Sequence, residues 1–131
     1  GRVIVSLFSA PRLGDHDKER LSVAIQIRVF RDVDGRLRAE ASPPHQHLPN
    51  FLTTDVGTLA DNARGLLRAI AQVRAGEAAE LGGVGNAWDV SITPGGVTIE
   101  NVYVDEYVVR LSLDDFETAL KAWLAQLGPS A

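Results

Sequence analysis

The chain has no cysteine, so disulfides, thiolate metal sites and a thiol nucleophile are excluded. No Gly-x-Ser-x-Gly elbow is present either, which removes the serine-nucleophile readings. No apolar run approaches the ~18 residues that a membrane-spanning helix needs. Aromatic residues make up only 6%. Methionine is missing too, and a chain that opens on Gly1 without it is expected to have a trimmed start, with a leader or an upstream domain removed.

Basic residues are scarce in one half only. Residues 1–76 hold 11 Lys and Arg against 8 Asp and Glu, whereas residues 77–131 hold 2 (Arg110 and Lys121) against 9. The formal net charge of −4 therefore hides a basic half and a strongly acidic half. A one-signed face of that kind steers a basic partner and repels nucleic acid. Against this stands the plainer reading that the carboxylates keep the protein soluble, since a net charge of magnitude ~2–8 is usual for a small domain.

What is present suits a globular core. Hydrophobic residues make up 45% and charged residues 23% of 131 residues, and a chain of ~100–150 residues is expected to form a single domain, here spanning 1–131. Val3, Ile4, Val5, Leu7 and Phe8 predict a strand over Arg2–Ser9, and a polar loop follows to Arg20. Leu21, Val23, Ile25, Ile27 and Val29 alternate at period two, which places all five on one face of a strand. Asp32-Val-Asp-Gly35 signals a turn, and Arg36–Ala41 a returning strand. Ser42–Asn50, with Pro43, Pro44 and Pro49, reads as an exposed connection.

A helix is expected next, capped by Thr54 or Asp55. Its apolar face would be Leu59, Ala60, Ala63, Leu66, Leu67, Ile70 and Ala71, with Gly76 as the C-terminal stop. Gly82-Gly-Val-Gly85 lacks the Lys-Ser/Thr ending of a phosphate loop and reads as a flexible lead-in. Trp88, Val90 and Ile92 form a strand, Pro94-Gly-Gly96 turns the chain, and Val97 and Ile99 run back. The parity breaks near Asn101 and resumes at Tyr107, Val109, Leu111 and Leu113. Ser112-x-x-Asp115 resembles a capping box before a helix whose stripe is Phe116, Ala119, Leu120, Trp123, Leu124 and Leu127. Trp88 and Trp123 are both expected in the core. The predicted fold is α+β: about six antiparallel strands and two main helices, in the order βββα-βββα.

Two candidate sites carry chemistry. His45-Gln-His47 has metal-ligand spacing and would need a third ligand, for which Asp15, His16 or Asp17 could serve. Both clusters lie in polar loops, where solvated histidine is common, so the expectation is no metal and no cofactor. Asp89, Glu100, Asp105 and Glu106 are the carboxylates expected to face a partner. Asp89 points away from Trp88 and its parity mates, and Asp105 and Glu106 sit in a turn.

The second half resembles small bacterial immunity proteins, in particular those of contact-dependent growth inhibition and related polymorphic toxin systems. The likeness rests on Gly85-Asn86-Ala87, Ser91-Ile92, Gly96-Val-Thr-Ile99, Asp105-Glu106, Leu113-Asp-Asp-Phe116 and Trp123. It covers roughly the last 46 residues and the helix before them; the first 50 carry no part of it. The resemblance implies a cytoplasmic, non-catalytic antitoxin that binds a cognate toxin domain, a nuclease or nucleic-acid deaminase, and contacts neither nucleic acid nor membrane. The alternatives are a protein-binding or accessory domain of a larger chain and, third, a small metal-dependent enzyme using His45, His47 and Asp17 or His16.

Overall fold

Period-two alternation at Ile25, Ile27 and Val29 leaves Ala24, Gln26 and Arg28 on the wet side, and a strand forms there. A computed structural model describes residues 24–128. The strand expected over Arg2–Ser9 and the start of the Leu21 strand lie outside them. Strand β1 (Ile27–Arg31) pairs antiparallel with β2 (Leu37–Ala41) across the Asp32–Arg36 turn. Asp32 organises that turn: one carboxylate oxygen accepts from the N–H groups of Asp34 and Arg36, and the other from Arg38 Nε at 3.0 Å.

The stretch read as an exposed connection turns inward instead. His45 and Leu48 are buried. A single helical turn, α1 (Leu48–Phe51), begins with a proline in its first turn, where the missing N–H would have had no helical partner. It continues without a break into a wider π-turn over Leu52–Val56. Leu48, Phe51, Leu52 and Val56 are almost completely buried. Apolar spacing over so short a piece, between prolines and threonines, is too brief to be seen as a period.

Helix α2 (Ala60–Arg74) then starts from Leu59, without the Thr54 or Asp55 cap expected. Asp55 is occupied elsewhere. Its two carboxylate oxygens accept from the N–H groups of Ala87 and Trp88, each at 3.0 Å. Ala60, Ala63, Ile70 and Val73 are the buried stripe of α2, while Leu59 and Ala71 face solvent. Gly76 stops the helix as expected: its N–H bonds Val73 O and that of Glu77 bonds Gln72 O, with Gly76 at φ +78°.

The second sheet has four strands in sequential antiparallel order: β3 (Leu81–Val84), β4 (Trp88–Thr93), β5 (Gly96–Asn101) and β6 (Val108–Leu111). The glycine-rich lead-in is thus an edge strand. Gly82 is required there, because a Cβ would come within 1.9 Å of the Val90 carbonyl oxygen. Six described strands split into sheets of two and four, with two long helices and the short α1. The chain is α+β, with its helices on one side of the larger sheet.

Helix α3 (Leu113–Leu127) closes the fold. The Ser112 side chain accepts from Asp115 N at 3.0 Å, as the capping pattern predicts. Helices α2 and α3 pack on each other and cover the inner side of the four-stranded sheet, while the β1–β2 hairpin lies against α3 and α1. One cluster of buried side chains runs through all of these elements. Both tryptophans are in it, and both use their indole N–H on the inward-turned connection. Trp88 donates to Asn50 Oδ1 at 3.1 Å and Trp123 to Gly57 O at 2.8 Å. Arg31 reaches the far end of α3 and donates to Gln126 O at 2.9 Å, where a helix leaves its last carbonyls unpaired.

Two predictions follow from these anchors. Asp55→Ala leaves the N–H groups of Ala87 and Trp88, at the entry to β4, without acceptors, and urea titration should show a loss of about 2–4 kcal/mol. Arg38 beside Asp32, aided by the backbone N–H of Arg36, holds that carboxyl below its ordinary value of 3.8. The stabilisation is therefore present above that value and is lost as pH falls through the lower folded-state value. Amide protection in the hairpin, measured against the unstructured exchange rate at the same pH, should fall below about pH 4 in the native chain, and Asp32→Asn should flatten that dependence.

A candidate protein-binding surface

The larger sheet is dry on one side and wet on the other. Trp88, Val90 and Ile92 of β4, Val97 and Ile99 of β5, and Val109 and Leu111 of β6 point inward and are buried. Their neighbours face outward. Strand register aligns Val84, Asp89, Glu100 and Val108 in one row across all four strands. Gly82, Ser91, Thr98 and Arg110 form the next row. No described helix or hairpin strand packs substantially against these outward side chains, and Asp89, Glu100 and Arg110 are exposed.

Asp89 thus stands directly opposite Glu100 on adjacent strands. Like charges in that relation destabilise a sheet. Among the described residues, no ion pair involves either one. A third carboxylate joins the face from the strand entry, where Glu80 accepts from the Ser91 hydroxyl at 2.6 Å. Arg110 is the single cation of the two outward rows.

Asp105 and Glu106 lie in the loop that leaves β5 one residue beyond Glu100, and both are exposed. Asn101 folds the start of this loop by accepting from the N–H groups of Tyr103 and Val104. The side chains of Val102 and Tyr103 are thereby held out to solvent, Tyr103 at 77% exposure. Tyr107 closes the loop and stacks on His47, with ring centroids 4.3 Å apart and planes inclined by 20°. The loop is therefore tied to the α1 region by a ring stack, and to the residue just before β4 by the bond from Val102 N to Ala87 O.

The sequence placed Asp89 and the turn carboxylates on the outside, and they are there. It did not reveal that Asp89 faces Glu100, which requires the register fixed by the Pro94-Gly95 turn. It also missed the exposed apolar residues around them, Val84, Val102 and Tyr103, because single exposed side chains leave no periodic signal. The parity break at Asn101 was the available hint.

Not every acidic residue of this half is unpaired. Arg74 of α2 pairs with Asp114 and Glu117 at the start of α3, and Lys121 adds a second contact to Glu117 at 3.1 Å. Arg74, with Lys121, holds the Glu117 carboxyl below its ordinary range. These carboxylates join the start of α3 to α2 through Arg74.

The histidine pair does not assemble a metal centre among the described residues, where no group of three His, Cys, Asp or Glu side chains comes together. His45 is buried and His47 is engaged in its stack. Asp15, His16 and Asp17 lie outside the described residues. Among the described helices, none is long and apolar enough to cross a membrane. Compared with known protein families, with curated proteins and with solved structures, the chain matches none.

The cost of the opposed carboxylates is measurable. Asp89→Asn or Glu100→Gln should raise unfolding stability by about 0.2–1 kcal/mol, with the gain shrinking as salt is added. Loss of stability in both variants would mean that the carboxylates hold the sheet together.

Proposed function

We propose that this protein is an immunity or antitoxin-type inhibitor that binds a cognate toxin domain and blocks its active site. The observation that carries the reading is the Asp89–Glu100 opposition on an open sheet face, continued by Asp105 and Glu106 at its end. Among the described residues neither carboxylate has an ionic partner, and two like charges side by side add nothing to stability. A basic partner relieves their repulsion and is attracted by it. Exposed Val84, Val102 and Tyr103 supply apolar and aromatic contact around the charges, and tyrosine is enriched where interfaces bind tightly.

The toxin domain would be a nuclease or nucleic-acid deaminase, whose cationic groove holds a polyanion. An acidic inhibitor face occupies such a groove by charge complementarity and closes it by bulk. In this reading the inhibitor needs no catalytic group, cofactor or metal. It acts in the cytoplasm of the cell that makes the toxin, and it contacts neither nucleic acid nor membrane. The resemblance of roughly the last 46 residues and the helix before them to immunity proteins of contact-dependent growth inhibition supports the same conclusion.

Titration calorimetry against the C-terminal domain encoded beside this gene is the decisive test. The expected Kd is around nanomolar, about 12 kcal/mol. Glu100→Lys should cost about 2–5 kcal/mol, mostly in dissociation, while Asp105→Lys at the rim should mainly slow association and reduce its salt dependence. Absence of binding at micromolar concentration would refute the inhibitor reading.

A further inference from the structure

Among the described residues, strand β3 is an outer strand of its sheet, and its hydrogen-bond phase is fixed by the bond from Gly85 N to Trp88 O. Because antiparallel pairs alternate, Gly83 and Leu81 share that inward phase, whereas the N–H and C=O groups of Gly82 and Val84 point away from the sheet. Residues 82–85 are exposed, Val84 at 65%. The strand carries none of the proline or lysine that commonly blunts such an edge.

The two sides of this edge differ. On the inner side, a groove of about 410 Å³ separates β3 from α2. Its lining includes Phe51, Val56 and Val90, together with the small residues Gly65 and Ala69 of α2 and Gly82 and Gly83 of β3. On the outer side lie Glu80, bonded to Ser91, and Asp89, which is aligned with Val84. Gly82 has no side chain to screen them.

We infer that β3 is a docking edge that takes an extended segment of a partner protein as a fifth strand, with apolar side chains facing the groove and basic side chains facing outward. Successive residues of a strand project to opposite faces. A segment bonded to Gly82 and Val84 therefore sends every second side chain between β3 and α2, and the others beside Asp89 and Glu80. The edge amides specify an extended backbone, the groove specifies apolar alternate positions, and the carboxylates specify their charge. The inference rests on the reading of this chain as a protein-binding inhibitor and names the shape of what it grips.

The test uses the full chain, labelled with nitrogen-15, and a short alternating lysine–valine peptide. The peptide should shift the Gly82 and Val84 amide resonances and slow their exchange, leaving Val108 and Arg110 at the opposite edge unchanged. A glutamate–valine peptide should bind at least about tenfold more weakly. The lysine–valine peptide N-methylated at alternate residues should not bind, and that control leaves the protein untouched. Perturbation confined to residues 102–107, or equal at both edges, would overturn the proposal.

Val84→Pro removes one outward N–H at an edge that tolerates proline. It should weaken both the peptide and the neighbouring toxin domain. A folded Val84→Pro variant with undiminished toxin affinity, in which Asp105→Lys still weakens binding, would overturn strand docking and leave the inhibitor reading intact. Peptide pairing at β3 without any toxin binding would instead remove the inhibitor reading and keep the edge.

Discussion

Everything else in this fold depends on how residues 45–57 are held. The segment has too few residues for a long helix and too many apolar ones for a loop. It is fixed by groups that arrive from both sides of the molecule. Trp88 comes from the sheet and Trp123 from the last helix, and each finds a hydrogen-bond acceptor on the segment. Asp55 returns the favour by accepting two N–H groups at the entry to β4. Phe51 sits between Trp88 and Phe116, with ring centroids 6.5 and 6.1 Å away. A buried indole N–H without an acceptor costs more than the bond itself gains. Placement of the segment and burial of the two tryptophans are thus mutually dependent, and the native docking of the sheet on its helices includes the segment.

That interdependence explains which parts of the fold could be read from the chain. Strands β1, β4 and β5 and helices α2 and α3 announce themselves by period, because each buries one face against a single large neighbour. The Ser112 cap and the Gly76 stop are local chemistry and were equally plain. The connection is not legible in the chain because its order comes from contacts 32 to 66 residues away in sequence, which no window contains. Strand β3 was misread for a different reason. Glycine normally weakens a strand, and here it is demanded by the closeness of the Val90 carbonyl, a fact of pairing and not of propensity.

The acidic half divides by function once the packing is seen. Asp114 and Glu117 are consumed in joining α3 to α2 through Arg74, so part of the sequence-level asymmetry is internal cement. The remainder is concentrated on the outer sheet face and the 102–107 loop. Net charge alone could not make that separation. It required knowing that Arg74, which belongs by sequence to the basic half, lies beside the start of α3.

The outer rows of the four-stranded sheet have one further property. Val84, Asp89, Glu100 and Arg110 are exposed, and the inward alternates of their strands carry the sheet's share of the core. Substitutions on the outer side therefore leave the interior untouched, whereas the glycines beside Val84 and the residues gripping the connection have almost no freedom. What the fold requires and what it leaves free are written on opposite sides of the same strands. If the outer face binds a partner as proposed, its specificity can be redrawn by changing exposed side chains while the scaffold beneath stays fixed.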